Sequence, residues 1–577
     1  MLARTFRSST FAAQLTTPKT SSAAALRTIR CLSASMVAGS AAALAEQTDS
    51  KQEHKTLESM NLGSTFTSEL PGDPETKNSL RQVHNSFYSW VRPTPTGTDP
   101  YLICHSSEMA STLGLDKSEI ERPEFALLFS GNATTPSIGS KSYAQCYGGH
   151  QFGSWAGQLG DGRAISLGQT TGADGNVWEL QLKGAGKTPY SRMADGRAVL
   201  RSSIREFVGS EAMFHLGIST TRALSLVGTG QQVMRDMFYS GDVKMEPGAV
   251  VCRVSPCWVR FGTFQLPASR GDVQLLMVQH LADYVIRHHY PHLEGADDKY
   301  LGFLREVTQR TARTVAGWQC VGFVHGVLNT DNMSILGETI DYGPYGWLER
   351  FDPNFTPNTT DFSHRRYAYQ QQPQIGLWNL IQLANAMARA DLVEPKPAEG
   401  VLEGYVDTLR DHHKKWMSKK LGLKDMDEKL QQGFMVAMAE TKADFTNAFR
   451  ALAAVSGSQP DDDIPEALQE AVAEQTYESK ATWTAWLTSY RAQLRKEGRP
   501  EPQRVQEMNA ANPCYVPRNH LLQACIEAAE KGDYSELDAF MAVLCKPYEE
   551  QAGAEKYRKV APSIKPRLGV ECLSCSS

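Results

Sequence analysis

The sequence predicts an α+β protein built as two lobes, a β-rich one followed by an enlarged helical one. Three observations carry this expectation. From Ser137 to about Phe264 the chain is rich in glycine and in short apolar runs, AISLG, WELQLK, RALSLVG and AVVCRVS, that read as strands bounded by turns. One helix interrupts them, within RAVLRSSIREFVGSEAMFHLG, where Ile204, Phe207, Val208 and Ala212 recur at a 3.6-residue period and Gly217 supplies a stop. From about Asp272 the pattern turns helical, in VQLLMVQHLADYVIRHHY, FLREVTQRTARTVAGWQCVGFV, IGLWNLIQLANAMARA and several segments from Val401 through Leu544. The expected division is a leader over 1–45, a polar linker over 46–77 broken by Gly63, Pro71 and Pro74, the β-rich lobe over 78–265, the helical lobe over 266–545 and a tail over 546–577. PDDDIPE, Pro460 to Glu466, is the expected exposed loop of the second half.

Composition bounds the function before any motif does. At 577 residues the chain supports two to four domains or lobes, and 41% hydrophobic with 21% charged residues is a globular balance. A net charge of −5 gives no global attraction to nucleic acid or to an anionic membrane, so no nucleic-acid partner is expected. Met36 to Ala45, the longest weakly polar run, is too short to cross a bilayer, so no membrane span is expected either.

The two ends carry their own signals. The first 45 residues hold Arg4, Arg7, Lys19, Arg27 and Arg30 with no acidic residue before Glu46. Basic, Ser- and Ala-rich and acid-free is the composition of a mitochondrial presequence, with an unstructured basic tail as the alternative. Eleven cysteines are too sparse for a disulfide scaffold, and Cys104, Cys146 and Cys320 read as buried thiols. Cys252 with Cys257, and Cys572-Leu-Ser-Cys575 at the chain end, stand apart. One C-x-x-C supplies half of a zinc site, so redox chemistry on a mobile tail is the functional reading and an inert end the alternative.

The residues that carry chemistry fall in a fixed order. Lys183 ends the strand WELQLK, where the strand lysine of protein kinases contacts nucleotide phosphates; a solvated edge residue is the plain alternative. Upstream, GQLGDGRA is a glycine turn that lets backbone N–H groups approach phosphate, or only a hairpin. Glu206 lies 23 residues after Lys183. It is either a helix partner for that lysine or the third residue of a Ser203-x-x-Glu206 capping box, and a helix beginning near Ala198 favours the former. HGVLNTDNMSILGETIDYGPYG then reads as a kinase-like catalytic loop followed by D-x-G, with Asn332 and Asp341 suited to hold Mg2+ or Mn2+ on ATP.

The loop departs from the kinase pattern at one place. His325, Leu328 and Asn332 fall in register, but Val327 occupies the position of the proton-accepting aspartate. Asp331, four positions later, could supply a relocated carboxylate, or could be a turn former in Asn-Thr-Asp-Asn. Arg253 and Arg260 in VVCRVSPCWVRFG are either phosphate forks or surface arginines on strands. The residues alone thus lead to an ATP-using enzyme, with a conventional kinase using Asp331 as a displaced base and a non-catalytic nucleotide-sensing pseudokinase as the competing readings.

Four segments, YGGHQFGSWAGQLGDGRA, LKGAGKTPYSRMADGRAVLRSSIREFVGSEAM, HGVLNTDNMSILGETIDYGP and NPCYVPRNHLLQ, closely resemble the selenoprotein O family, also called YdiU. The resemblance runs from about Asn78 to the C-terminus. It implies a protein-kinase-like bilobal fold that binds ATP in reversed orientation and transfers AMP to Ser, Thr or Tyr hydroxyls of proteins. It further implies that Lys183, Arg253 and Arg260 hold phosphates, and that Glu206 positions Lys183. Gly160, Gly162, Arg163, Asp195 and Gly196 would contact nucleotide, Asn332 and Asp341 the metal, and Asp331 would be the base. Animal members carry selenocysteine third from the end, where this chain has Cys575, leaving a Cys572/Cys575 dithiol. Eukaryotic members are mitochondrial, in agreement with the leader.

Overall fold

Apolar residues alternate along the β-rich half, and alternation buries one strand face against a helix and the other against neighbouring segments. The computed structural model describes residues 55–135, 138–139, 141–238, 240–473, 475–561, 567–570 and 572–574. The leader and Cys575 lie outside them. The strands are β1 (Tyr88–Trp90), β2 (Tyr101–His105), β3 (Tyr143–Gln145), β4 (Gly148–Gln151), β5 (Ser154–Gln158), β6 (Ala164–Thr171), β7 (Val177–Lys183), β8 (Ala198–Val199), β9 (Arg222–Asp236) and β10 (Val243–Ser255). The main sheet runs β1-β3-β6-β7-β10-β9-β2, with β8 also paired to β10 and all pairs antiparallel. β4 and β5 form a separate hairpin.

This order puts β7 in the middle, with Lys183 opposite Ala164 on one side and Val251 on the other. Glu179, Gln181 and Lys183 share one face by the two-residue period. That face is enclosed: Glu179 and Gln181 are buried. The Leu200–His215 helix packs on β9 and β10 and is buried nearly all round, so Arg205, Glu206 and Glu211 are inside with Ile204, Phe207 and Val208. Its first residue is Leu200, with Val199 as an N-cap that makes no side-chain bond. Ser203 therefore caps nothing, and the capping-box alternative for Glu206 is excluded.

The second half is helical, through Leu275–His289, Lys299–Val321, Gln372–Arg389 and Pro395–Lys420 to Ser535–Leu544. The Lys299–Val321 helix stops at Gly322 in the left-handed region, and Phe323–Val324 leads directly into the HGVLNTDN loop. One apolar core joins the sheet helix to these helices, from Phe66 and Tyr143 through Val285 and Trp318 to Tyr405. A second is built around Phe434, Phe449, Trp483 and Trp486. Asp461 and Asp462 of PDDDIPE are exposed, but Ile464 is tucked into that second core. Among the described residues no helix is long and apolar enough to cross a membrane.

Three expectations need correction. The stretch read as a linker is packed from residue 55 onward: Leu57 and Met60 are buried, Gly63 exchanges backbone hydrogen bonds with Gln169, and Phe66 stacks on Tyr143 at 5.8 Å. Its polar composition hid a few large apolar anchors, and those decide its place. The tail read as mobile is docked over 572–574, where Leu573 accepts from the Thr359 N–H (2.7 Å) and donates to the Pro357 carbonyl (2.8 Å) and Cys572 is buried. Cys252 and Cys257 are separate buried thiols on β10 and the turn after it, with burial pushing both above the usual thiol range.

Glu179 gives a test of the buried sheet face. Its carboxyl accepts from the Tyr143 and Ser166 hydroxyls, each at 2.7 Å, and burial raises its pKa to about 7 against the help of those bonds. A carboxyl that holds its proton longer when folded loses stability as pH rises from the unfolded value near 4.5 to about 7. Glu179→Gln is expected to remove up to about 3 kcal/mol of this decline, so that variant and wild type diverge in urea midpoint above pH 5 and converge below it.

Candidate active site

The central carboxylate is Asp341, and three cations converge on it. Lys183 Nζ stands 3.5 Å from Oδ1, Arg253 Nη1 donates to Oδ1 at 2.5 Å, and Arg260 Nη1 donates to Oδ2. Glu206, projecting from the second turn of its helix, takes Lys183 Nζ at 2.5 Å and Arg253 Nη1 at 2.9 Å. Arg253 Nη2 donates to Gln181, its cross-strand partner on β7. Arg253 and Arg260 are almost wholly buried, so the reading of them as surface arginines fails.

These charges set one another. Burial alone would raise the Asp341 pKa, yet Arg260, Arg253 and Lys183 hold it well below the usual carboxylate range. Burial lowers the Lys183 pKa, opposed by Glu206 and Asp341. Asp341 itself adopts φ +58°, a left-handed conformation uncommon for a non-glycine residue. It is held there from both sides: His325 Nε2 hydrogen-bonds the carbonyl of Ile340 at 2.9 Å, and the cation cluster fixes the side chain.

The HGVLNTDN loop lies against the same cluster. Arg260 Nη1 also donates to the Asp331 carbonyl at 2.9 Å. The Asp331 carboxylate turns the other way, toward the β4–β5 hairpin, where Gln151 Nε2 donates to Oδ2 at 3.3 Å. Oδ1 is buried with no hydrogen-bond partner among the described residues. Burial raises the Asp331 pKa to about 6, countered in part by Gln151 and Arg260. Gly149 permits this approach, because a Cβ there would fall 2.5 Å from Asp331 Oδ1. Thr330 Oγ1 and Asn329 Oδ1 accept the His150 and Phe152 N–H groups, stitching hairpin to loop. Val327 contributes its carbonyl, which accepts from Asn332 Nδ2 at 2.9 Å and leaves the amide oxygen of Asn332 as the group it can offer a cation.

The glycine turn joins β5 to β6. A Cβ on Gly160, at φ +93°, would meet the Tyr190 ring at 2.5 Å, and the Gly162 carbonyl accepts from the Ser191 hydroxyl. Arg163 lines a small cleft with Lys183, Ser202, Ser203, Glu206 and Tyr342. Asp195 and Gly196 do not join the cluster. Their segment runs beside Ala185, just beyond Lys183; the Gly196 carbonyl accepts from Gly186, and Asp195 is engaged by Arg235 at 2.7 Å. Leu573, next to Cys572, pairs with the Pro357–Thr359 segment, whose Asn358 Nδ2 donates to the Gly326 carbonyl.

Sequence reading missed Asp161, Gln181 and Gln151. Asp161 is buried between the two glycines of the turn, accepting from Gln145 N (3.0 Å) and standing 3.5 Å from Arg260 Nη2. Burial raises its pKa, opposed by Arg260. The two-residue alternation that places Gln181 with Lys183 was available as a signal; nothing in the sequence marks Gln151 as a neighbour of Asp331.

Because Glu206 balances two buried cations, removing its charge leaves them with Asp341 alone. Glu206→Gln is expected to destabilise the protein by about 3 to 5 kcal/mol in denaturant melts, far more than the loss of an exposed ion pair.

The profile of the family described as protein adenylyltransferase SelO matches residues 74–545. A protein nucleotidyltransferase YdiU of Azoarcus sp. (strain BH72) is 50% identical over 519 residues, covering 89% of this chain and 98% of its own. That of Aromatoleum aromaticum is 48% identical over 531 residues, covering 90% and 100%. Among solved structures, ROP2 from Toxoplasma gondii, a virulence factor with a protein-kinase fold and no enzymatic activity, aligns with 46% of this chain and 79% of its own. At 13% identity and a TM-score of 0.22 it bears on nothing here. The match across most of the length, at half the positions, places this chain in the SelO family.

Proposed function

We propose that the chain, a nucleotidyltransferase by family, binds ATP with Mg2+ or Mn2+ beside Lys183 and transfers AMP to Ser, Thr or Tyr hydroxyls of proteins. The observation that carries this is the pairing of a cation cluster around Asp341 with a valine at the kinase base position and a second buried acid, Asp331, whose carbonyl touches the cluster and whose carboxylate lies against the β4–β5 hairpin beside it.

Lys183, Arg253 and Arg260 suit a polyphosphate. All three are already directed at one anion, and a phosphate chain can replace that anion as their counter-charge. Asp341 would then be released from the arginines. Its carboxylate and the Asn332 amide oxygen are the hard oxygen donors that a small divalent ion prefers. When bound, that ion would neutralise charge on the phosphates during transfer.

Asp331 then takes the proton. The acceptor hydroxyl gives its proton to Oδ1, the oxygen left without a donor, and its oxygen forms the new bond to the α-phosphorus. The bond from that phosphorus to the bridging oxygen breaks, and pyrophosphate leaves against Lys183 and the arginines. A base with a pKa of about 6 is ionised at neutral pH yet basic enough to assist. Gln151, donating to Oδ2, keeps the other oxygen for this task.

The leader composition supports a mitochondrial location. The Cys572/Cys575 pair supports a redox role, acting through the Pro357–Thr359 segment on which the tail rests.

ATP labelled at the α or at the γ position tests the reaction. Label from the α position on protein is expected; γ label would replace this reading with a kinase, and nucleotide binding with neither label would replace it with a non-catalytic sensor. Asp331→Asn, measured in the same assay at saturating ATP, should lower transfer by about 10² to 10⁴-fold, the range for a lost general base.

A further inference from the structure

Beside Asp331 the chain builds a surface that none of these steps uses. The β4–β5 hairpin turns at Phe152 and Gly153, with φ +50° and +86°. Both central residues being left-handed suits a two-residue hairpin, but for phenylalanine the conformation costs about 1 kcal/mol or more. It is held in place. The Phe152 N–H donates to the Tyr367 hydroxyl (2.9 Å) and to Asn329 Oδ1 (3.2 Å), so the catalytic loop itself fixes the turn.

The result is an aromatic face at the mouth of the site. Phe152 is 36% and Trp155 38% exposed, although both are large and apolar. Phe152 packs on Tyr367 at 5.2 Å, and His150 lies between Trp155 at 5.0 Å and Trp378 at 5.4 Å. Over Trp378, at 4.7 Å, stands the guanidinium of Arg366. Its Nε is buried without a hydrogen-bond partner, and the Asp361 carboxylate acts on the guanidinium only through space. Asp361 spends its carboxylate on the backbone N–H groups of Arg366 and Tyr367, at 2.9 and 2.7 Å. Arg253 and Arg260, by contrast, share Asp341.

We infer that this face docks the acceptor protein, through an extended segment that lays apolar side chains on Phe152 and Trp155 and carries an acidic residue, near the target hydroxyl, onto Arg366. The inference rests on the transfer reading above and adds the substrate class. Exposed aromatic rings with an arginine are the composition of binding hot spots, and a carboxylate supplies the close counter-ion that Asp361, acting on Arg366 only through space, does not. The position is fitting, because Gln151 of the same hairpin touches Asp331. A segment held on the turn delivers its hydroxyl to the base.

The test uses the full chain and peptides with a single Ser, in which one Asp or one Lys is moved through the three positions on each side. Binding of fluorescein-labelled peptides by anisotropy and α-label transfer are both measured. Wild type should favour Asp over Lys at one position by about tenfold in Kd and in KM, as expected of a charge pair across an interface. Arg366→Gln should abolish the preference and Arg366→Glu invert it, with ATP affinity, measured separately, unchanged as the check on folding. Transfer with an unaltered preference in both variants would overturn the docking face while leaving the transfer reading intact. An inverted binding preference without α-label transfer by wild type would uphold the face and overturn the transfer reading. Equal binding of Asp and Lys peptides to wild type, with ATP displacing both, would show the face to be a nucleotide site and overturn the inference.

Discussion

A single half-buried carboxylate organises this molecule. Asp341 is contacted by Lys183 from the central strand, Arg253 from its neighbour and Arg260 from the start of the Phe261–Ser269 helix. Each of those cations would be prohibitively costly in an apolar interior without an anion. The sheet, the Leu200–His215 helix and the D-Y-G segment are thus held in mutual register by charge, with Glu206 as the second anion. The left-handed backbone at Asp341 persists because so many contacts over-determine it. Asp341 thus serves as counter-ion to all three cations.

The β4–β5 hairpin encloses a second carboxylate, that of Asp331, four residues after Val327. Asp331 leaves the arginine side through its carbonyl and meets the hairpin through its carboxylate. Gly149 makes room, Gln151 satisfies one oxygen, and the N–H groups of His150 and Phe152 fix the loop's Thr330 and Asn329. Burial then raises the acid to about 6, a value set by enclosure more than by any neighbouring charge. The hairpin thus both fixes the Asp331 carboxyl and raises its pKa.

Peripheral segments reach this centre by short chains of hydrogen bonds. Residues 572–574 rest on Pro357–Thr359, and Asn358 in that segment holds the Gly326 carbonyl of the HGVLNTDN loop. Tyr367, a few residues on, joins Asn329 at 2.5 Å and the hairpin turn at 2.9 Å. The residues before Asp73 close the opposite edge of the sheet through Phe66. Short polar stretches at both ends of the described chain are therefore part of the scaffold, because a few apolar anchors in each outweigh their overall composition.

Much of the architecture was legible in the sequence. Periodicity separated the strands of the β-rich half from the helices that follow, and a helix start ahead of Ser203 implied that Glu206 lies inside its helix. Lys183, Glu206, Asn332 and Asp341 stood out by residue type and order along the chain, since strand ends, helix faces and loops fix where side chains can point. What the sequence could not decide was distance. By spacing Arg253 and Arg260 read as surface residues sooner than as phosphate forks, and only the pairing of β10 with β7 and the start of the next helix turns them inward onto Asp341. Asp195 carries the same charge as Asp341 yet is engaged by Arg235 outside the cluster. Gln151 and Arg366 lie 180 residues before and 35 after Asp331 in sequence. Local propensity determines which residues are offered to a site; which of them meet is a property of long-range packing, and in this protein it is packing that makes Asp331 a buried acid beside a hairpin.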